Sequence, residues 1–303
     1  MNSTREGNVL FQMICLGLTG IFLSVSVIGE KSDVSRYDLN DILNALPTTV
    51  WGMVNLVKEK LKGTLPLPES KRCDNATNFT DCADLRRRGY VESNRVYSIW
   101  PRYLNEPIKV VCDMDTEGGG WTIIQRRGYY DDKPQEFNQS WYQYSVGFGS
   151  LNDDFWLGND KIFAITNHKE VELRVDLEDF SGTKVYAKFS YFVVLSDLRN
   201  YQMFFGSYSG DAGDSLLYHN GSLFSTKDQD NDVHAKSCSS YYNGGGGWWF
   251  KSCANSNLNG VYYKDGKASK SRSGIIWNTF GGNDISLKKT DIKIRPIYFT
   301  IPH

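Results

Sequence analysis

The segment from residue 224 to residue 253 limits what this chain can fold into more than any other part of its sequence. Asp228, Asp230 and Asp232 stand at alternate positions there, and Cys238 and Cys253 follow them. Calcium takes about six to eight hard oxygen ligands, and a turning loop can direct alternate carboxylates and carbonyls at one ion. The segment therefore predicts a calcium loop. A solvated acidic turn is the alternative.

This loop does not follow the EF-hand pattern. An EF-hand would place glycine at the sixth position and glutamate at the twelfth, and Val233 and Ser239 stand there instead. Between the two cysteines run four glycines, residues 244–247, followed by Trp248 and Trp249. The glycines allow close backbone approach. Tryptophan is highly buried on average, so we expect at least one of the pair to pack in the core.

The N-terminus indicates an extracellular protein. Residues 9–29 carry no charge and are rich in leucine, isoleucine and phenylalanine, as the hydrophobic region of a secretory signal is. We predict that residues 1–29 are a signal peptide and that the remainder is secreted. An uncleaved signal anchor is the alternative, because a run of about 20 uncharged residues can span a bilayer.

The cysteines and the glycosylation motifs fit such a compartment. Five cysteines follow the leader, and an odd number there indicates two internal bridges and one intermolecular thiol. Four Asn-X-Ser/Thr sequons favour a glycosylated surface. The cysteines are Cys73, Cys82, Cys112, Cys238 and Cys253, and the sequons begin at Asn75, Asn78, Asn138 and Asn220.

Residues 30–72 are predicted to form a helical neck and linker. Apolar residues recur there at steps of four and three, and Pro47 interrupts them. This seam predicts either an oligomerisation segment, which would make the protein a homo-oligomer, or a short amphipathic helix packed on another surface. The seam residues are Leu39, Leu43, Leu46, Val50, Met53 and Val57.

Residues 73–303 show the pattern of one α+β domain. Short alternating or β-branched runs are separated by clusters of Gly, Asn and Asp. The formal net charge of −1 offers no drive towards nucleic acid. The predicted strands are residues 108–112, 121–125, 170–177, 184–194, 274–277 and 291–297, and the predicted helices are residues 159–165 and 197–201.

Six motifs occur in one order between Cys82 and Pro296. They are CDMDTEGGGWT at 112–122, FWLGN at 155–159, ELRVD at 172–176, FSTKDQDND at 224–232, GWW at 247–249 and SNLNG at 256–260. With these motifs the chain resembles the fibrinogen C-terminal domain family, in particular the ficolins and tachylectin-like lectins. The resemblance implies a single domain with a central twisted antiparallel sheet and a loop-rich subdomain for calcium and ligand.

The resemblance also implies how the cysteines pair. The family's pairings match Cys82 with Cys112 and Cys238 with Cys253. Cys73 then remains as a candidate interchain disulfide.

A calcium site follows by position in the same family. Its carboxylate ligands fall on Asp230 and Asp232, and its backbone carbonyl ligands fall on His234 and Lys236. Asp228 would stand beside the ion. The expected cofactor is therefore Ca²⁺.

A ligand pocket beside the calcium loop is implied as well. In acetyl-binding members the peptide bond before the second loop cysteine is cis and offers an N–H to the ligand, and the matching bond here joins Ser252 to Cys253. The first pocket tyrosine matches Tyr242. This chain departs from the family at Ala254, where a histidine is usual. It departs again at the later tyrosines. One of them falls on Lys270 or Ser271, and the last falls near Gly282 or Asn283, where Phe280 is near enough to substitute.

The sequence offers no catalytic constellation. The four histidines are scattered, and neither a metalloprotease motif nor a phosphate loop occurs. The adjacent acids Asp153 and Asp154 are interpreted as a solvated turn.

We therefore predict a non-enzymatic recognition protein. The favoured hypothesis is a secreted calcium-dependent lectin of innate defence that binds acetylated or other glycans, or glycoproteins, on cell or microbial surfaces. The alternative is a protein ligand or matrix component that binds a receptor through the same domain. Contact with a membrane is expected only if the leader is an uncleaved anchor.

Overall fold

A computed structural model describes residues 79–128, 133–241 and 246–300 of the chain. The signal segment, the predicted neck, Cys73, Asn75, Asn78 and Tyr242 lie outside these residues. No helix in the described ranges is long and apolar enough to cross a membrane.

A ten-stranded antiparallel sheet forms the centre of the domain, and seven of its strands follow the order β1-β2-β3-β12-β6-β7-β8. Strand β5 pairs with β3 and β4, strand β9 pairs with β7, and strands β10 and β11 form a separate two-stranded sheet. The strands are β1 (Arg95–Ile99), β2 (Ile108–Asp113), β3 (Trp121–Arg127), β4 (Phe148–Gly149), β5 (Phe155–Trp156), β6 (Val171–Glu178), β7 (Lys184–Val194), β8 (Met203–Phe205), β9 (Tyr208–Gly210), β10 (Ser256–Asn257), β11 (Ile276–Trp277) and β12 (Lys289–Pro296).

Alternation of apolar and charged residues explains why the central strands form. On β6, Val171, Leu173, Val175 and Leu177 are buried, and the charged residues between them lie on the opposite face. Successive side chains of a strand point to opposite faces, so this pattern covers one side of the sheet with core and leaves the other polar. Strand β12 inserts between β3 and β6 and completes the sheet.

Within the described residues, five α-helices lie outside the sheet. Asp81 caps α1 by accepting a hydrogen bond from the Asp84 N–H at 2.8 Å. Ser140 and Gln143 form a capping box at the start of α2. The helices are α1 (Cys82–Arg87), α2 (Trp141–Val146), α3 (Asn159–Thr166), α4 (Cys238–Tyr241) and α5 (Asn278–Gly281).

The antiparallel α+β fold predicted from the sequence is confirmed. The strand predicted at 184–194 has the observed bounds, and the strands predicted near 108, 121, 170 and 291 differ by two residues or fewer at each end. The helix predicted at 197–201 is wrong, because only the 3₁₀ turn Asp197–Arg199 forms. Asn200 and Tyr201 adopt positive φ angles of 49° and 47°, which end the turn.

Both implied disulfides are present. Cys82 at the start of α1 is bonded to Cys112 on β2, and Cys238 at the start of α4 is bonded to Cys253. The first bridge fastens α1 to the sheet. The second closes the loop that contains the glycine run.

Two polar side chains of β3 fasten the C-terminal loops to the sheet. Gln125 donates to the Leu258 carbonyl at 2.9 Å, and Arg127 donates to the Leu258 and Gly260 carbonyls at 3.1 and 2.9 Å. Arg127 also lies over the ring of Phe137, 3.9 Å from its centroid. The loop that follows β10 is thereby held against β3.

Asp154 is buried rather than solvated. Its side chain is inaccessible to solvent, and its carboxylate lies 3.8 Å from the Arg127 guanidinium. Burial lowers the pKa of Arg127 to about 10, and Asp154 opposes that shift, so the guanidinium is charged at neutral pH. The interpretation of Asp153 and Asp154 as one solvated turn is therefore wrong for Asp154.

Replacing Arg127 should destabilise the domain strongly. The substitution Arg127→Met leaves the Asp154 charge and two carbonyls buried without the guanidinium, and we expect a loss of about 3–5 kcal/mol in the free energy of unfolding. Urea denaturation monitored by tryptophan fluorescence measures this loss. The control Arg95→Gln breaks an exposed pair with Glu92 and should cost at most about 1 kcal/mol. Equal losses in the two variants would contradict the assigned role of Arg127.

Candidate functional site: the calcium loop and the disulfide loop

The segment carrying the aspartates curls back on itself and is held to the core at one end. Ser225 and Trp248 exchange backbone hydrogen bonds of 2.9 and 3.1 Å. The Asn231 side chain donates to the Phe224 carbonyl at 2.7 Å, and the Asn231 N–H donates to the Ser225 hydroxyl at 3.0 Å. Trp248 and Trp249 are both buried, at 1% and 2% exposure, so both belong to the core beneath the loop.

Asp230 and Asp232 lie next to each other at the turn. The Asp232 N–H donates to the Asp230 carboxylate at 3.3 Å. The Asp232 carboxylate in turn accepts from the His234 N–H at 2.9 Å and from the Cys238 N–H at 2.8 Å. These bonds hold the orientation of Asp232 and leave further oxygen lone pairs on both carboxylates.

Asp228 is engaged elsewhere. Its carboxylate accepts from the Trp141 N–H at 2.9 Å and from the Thr226 hydroxyl at 2.8 Å. Desolvation acts to raise the pKa of Asp228, but the bonds from Thr226 and Trp141 outweigh it and hold the pKa below its usual range. Asp228 therefore joins the aspartate loop to the start of α2.

The residues of this turn fit a calcium ion chemically. Partial burial raises the pKa of Asp232, and the Asp230 carboxylate adds to that rise against the hydrogen bonds from Cys238 and His234. A divalent cation would relieve the repulsion between the two carboxylates. No described donor reaches the carbonyl of His234, and the Lys236 carbonyl lies 2.8 Å from the His234 ring Nδ1. Carboxylates with backbone carbonyls form a hard oxygen donor set, as Ca²⁺ requires.

A transition-metal site at the neighbouring sulfurs does not fit. The His234 ring lies within 4.8 Å of the Cys238 and Cys253 sulfurs. Those sulfurs are bonded to each other, so neither is a thiolate ligand.

A buried histidine clamps the disulfide loop. His219 is fully buried, and its Nδ1 lies 2.8 Å from the Trp249 carbonyl. Its Nε2 accepts from the N–H groups of Asn255 and Ser256, both at 3.1 Å. Because both partners of Nε2 are donors, the proton is on Nδ1 and the ring is neutral. The ring thus joins the backbone on either side of Cys253.

The Ser252–Cys253 peptide bond is trans, and the described residues contain no cis peptide bond. The expected cis geometry is therefore wrong in this structure. For bonds without proline the trans form is favoured by about 2.5–4 kcal/mol. The Tyr218 hydroxyl holds this peptide by accepting from the Ser252 N–H at 3.2 Å and donating to the Ser252 carbonyl at 3.0 Å.

Two consecutive amides of this loop lack a hydrogen bond within the described residues. The N–H groups of Cys253 and Ala254 donate to no acceptor there. Buried N–H groups without an acceptor are rare in native proteins, and ordered water commonly satisfies such groups. Cys253 and Ala254 are buried as whole residues, at 3% and 1% exposure, so these amides lie beneath the surface of the loop.

The side chains beside this loop do not form an all-aromatic pocket, because a lysine lies among them. The Lys270 ammonium lies 4.1 Å from the centroid of the Tyr241 ring and donates to the Tyr241 carbonyl at 2.5 Å. Phe280, on α5, is half-buried against the core. The Asn278 N–H donates to the Asn255 carbonyl at 2.9 Å, which places the start of α5 beside the disulfide loop.

Two predicted glycosylation sites lie in the described residues. Asn220 is exposed and directly follows His219, and its side-chain amide lies 3.4 Å from the Phe205 carbonyl. Asn138 is half-buried in the segment before α2. Their use as glycosylation sites stays a prediction, as does that of Asn75 and Asn78.

Sequence reasoning missed the roles of Tyr218 and His219. The two residues contact the disulfide loop from more than 30 positions away along the chain. Their local sequence resembles an ordinary turn before a sequon. No spacing relates them to Cys253, and the contact becomes visible only in three dimensions.

A separate cavity of about 400 Å³ lies on the polar face of the central sheet. Its charges pair with one another: Lys293 contacts Asp113 at 2.6 Å and also contacts Asp176, and Arg174 pairs with Asp176. The mutually paired charges of this cavity give it no preference for a ligand of one sign.

Comparisons with known proteins agree on the kind of domain. The family model described as fibrinogen beta and gamma chains, C-terminal globular domain, matches residues 78–297. Techylectin-5A of Tachypleus tridentatus is 38% identical over 293 residues, which cover 94% of this chain and 98% of that protein. Angiopoietin-related protein 7 of Mus musculus is 46% identical over 228 residues, covering 74% of this chain and 66% of that protein. The solved fibrinogen-like globe domain of human ANGPTL2 superposes with a TM-score of 0.68 at 39% identity, covering 72% of this chain and 99% of that one.

The neutral His219 clamp should make the domain sensitive to mild acid. Burial lowers the pKa of His219 to about 4, against 6.5 for an ordinary histidine. As the pH falls from 6.5 to 4, the His219 imidazole becomes protonated in the unfolded chain but stays neutral in the folded one. The folded state therefore loses stability over this range. The expected loss from this group is roughly 3 kcal/mol, measured as the free energy of unfolding against pH.

The substitution His219→Gln should remove that part of the pH dependence while lowering stability at pH 7. The control Tyr218→Phe keeps the imidazole and should keep the wild-type slope between pH 6.5 and 4. The assignment fails if His219→Gln retains the full wild-type slope in that window.

Proposed function

Since this chain belongs to the fibrinogen C-terminal domain family, we propose that it is an extracellular, calcium-dependent lectin that binds glycans on cell or microbial surfaces. One observation carries the proposal. The match to a protein named a techylectin extends over 98% of that protein's length, so the likeness includes more than the shared globular domain. The turn at Asp230 and Asp232 supports the ion of such a lectin, and the exposed side chains of Tyr241 and Ser252 on the neighbouring disulfide loop support ligand contacts.

In this proposal calcium acts by ordering the loop. The ion would be held by the carboxylates of Asp230 and Asp232 and by the carbonyls of His234 and Lys236. The positive charge of the ion would balance the negative charges of the two carboxylates. Because the Asp232 carboxylate also accepts from the N–H of Cys238, its position is transmitted to the disulfide loop.

A single shallow site binds a sugar weakly, so such a lectin gains strength from several linked copies. Linkage can raise the effective affinity by roughly 10² to 10⁴. We propose that Cys73 and the apolar seam at 39–57 supply this linkage in a secreted homo-oligomer of innate defence.

A protein ligand for a receptor is the second candidate. It is favoured by the higher identity, 46%, to angiopoietin-related protein 7. The Lys270 ammonium against Tyr241, in place of an aromatic wall, is also compatible with a protein partner.

Calcium should stabilise the domain through Asp230 and Asp232. An ion present at about 100 times its Kd adds roughly 2.7 kcal/mol to the free energy of unfolding, which should raise the Tm by several degrees relative to the protein in EDTA. The substitution Asp230→Asn should abolish this rise. Asp228→Asn is the matched control, because Asp228 contacts Trp141 and Thr226, and it should keep the calcium response. If Asp228→Asn removes the response and Asp230→Asn does not, the assigned ligand set is wrong.

The lectin function is tested on immobilised N-acetylglucosamine. We expect the secreted protein to be retained in calcium, released by EDTA and displaced by free N-acetylglucosamine or acetate. Retention that ignores both EDTA and the competitor contradicts the acetyl-binding lectin. If no glycan surface retains the protein and a cell-surface receptor does, the second candidate replaces the first.

A further inference from the structure

A turn that carries a glycosylation motif lies along the outer edge of the sheet at β8. Strand β8 ends the strand order, so within the described residues β7 is its neighbour on one side only. The sequon at residues 220–222 lies on the other side. Asn220 has a φ of −60° and a ψ of 128°, and Gly221 has a φ of 78°. The Ser222 N–H donates to the His219 carbonyl at 3.0 Å. These are the features of a type II β-turn, which favours glycine at the position of Gly221.

This turn satisfies the backbone groups of β8 that face away from the sheet. The Met203 N–H donates to the Ser222 carbonyl at 3.1 Å, and the Met203 carbonyl accepts from the Gly221 N–H at 2.9 Å. The Asn220 side chain does the same for Phe205, because its Oδ1 accepts from the Phe205 N–H at 3.3 Å and its Nδ2 donates to the Phe205 carbonyl at 3.4 Å. Asn220 is exposed, and only one of the two Nδ2 hydrogens is used in this bond. The other is available for replacement by a sugar at the rim of the sheet.

The edge behind this turn lacks the charges that commonly protect a sheet edge. Residues 200–210 contain no Asp, Glu, Lys or Arg. Strand β9 continues the edge beyond β8, and in the described part of the chain it pairs with β7 alone. Ser207, Ser209 and Gly210 are exposed there. Exposed edges of low charge and high β-propensity are templates for pairing with another chain.

Exposed aromatic rings lie beside the same edge. Phe204 is 38% exposed and Tyr191 is 37% exposed. Phe204 pairs with Val193, and Tyr191 precedes Val193 by two positions on β7, so the three side chains share one face of the sheet. The Phe204 ring lies beside the sequon, 3.6 Å from the position at which a side chain on Gly221 would begin. A sugar at Asn220 would therefore stand next to apolar surface.

We infer that Asn220 carries an N-linked glycan, and that this glycan shields the β8 and β9 edge from pairing with other chains. A glycan is bulky and solubilising, and on Asn220 it would occupy the space that an incoming strand needs. An edge that recruits a partner strand would have to be open, whereas the turn already holds the outward groups of Met203 and Phe205. The inference requires secretion, as the proposed function does, but it depends neither on calcium nor on a sugar ligand.

Occupancy of the site is measured on the full-length protein secreted from eukaryotic cells. Release of the glycans by a glycosidase in heavy-oxygen water leaves a labelled aspartate wherever a sugar was attached, and peptide mass spectrometry locates the label. We expect the label at Asn220 in most molecules. A secreted protein whose Asn220 is unmodified overturns the inference and leaves the proposed lectin in place. A protein that is not secreted overturns both.

The shielding role is tested by removing the sugar and leaving the edge intact. Ser222→Ala abolishes the sequon but keeps the Asn220 side chain and the backbone bonds of the turn. We expect this variant to associate beyond the wild-type oligomer at a concentration at least about tenfold lower, which corresponds to about 1.4 kcal/mol of association free energy. Light scattering against protein concentration measures the difference. The control Thr77→Ala abolishes the sequon that begins at Asn75 and should behave as the wild type does, and a melting curve confirms that each variant is folded.

A charge on the edge should replace the glycan. Adding Ser209→Lys to Ser222→Ala places an ammonium group on β9 and should restore the solubility of the wild type, because lysine on an edge strand disfavours pairing. If Ser222→Ala remains as soluble as the wild type, the glycan does not shield the edge and the inference is wrong. Association that Ser209→Lys does not reduce would lie at another surface and would equally overturn it.

Discussion

A neutral imidazole buried between the two arms of the disulfide loop holds the backbone on which the ligand end of the domain is built. The His219 ring donates to the Trp249 carbonyl and accepts from the amides of Asn255 and Ser256, and so satisfies three backbone groups. A protonated ring would lose its acceptor and leave two N–H groups facing a charge. The geometry around Cys253 therefore depends on this ring remaining neutral.

The sheet supports the same region from beneath. Gln125 and Arg127 extend from β3 to the carbonyls of Leu258 and Gly260, just beyond the segment that His219 holds. Buried polar groups that are fully satisfied specify a single arrangement, and a missing partner is costly. The core, the His219 ring and the disulfide loop form one continuous set of contacts, and the turn at Asp232 joins it through the amide of Cys238. Ordering of the turn by the proposed ion would in this way reach the disulfide loop.

Local patterns in the sequence were sufficient to predict the central strands and the family. The alternation on β6 and β7 identifies both strands because a half-buried strand must alternate, and the motif order identifies the family. The bond between Asp228 and the start of α2 was not predicted, because Trp141 is distant from Asp228 along the chain.

Contacts between residues that are far apart in the sequence could not be predicted from local patterns. Asp154 looks like a surface turn residue until Arg127, distant in sequence, is placed 3.8 Å from it. The contacts that Tyr218 and His219 make with residues 252–256 have no local signature, because backbone carbonyls and amides of any sequence can serve as their partners. The trans Ser252–Cys253 bond and the Lys270–Tyr241 contact show that the family pattern transfers the fold further than it transfers the details of a pocket.

The proposed ion site, the contacts of His219 and the proposed ligand surface involve neighbouring parts of the chain. Locating the calcium ion tests this arrangement most directly. A crystal structure of the secreted protein grown in calcium chloride would show the site at atomic detail. The account predicts one calcium ion coordinated by carboxylate oxygens of Asp230 and Asp232 and by the carbonyls of His234 and Lys236, with Asp228 still bonded to the Trp141 amide. An ordered turn without an ion, or an ion bound by other residues, would contradict it.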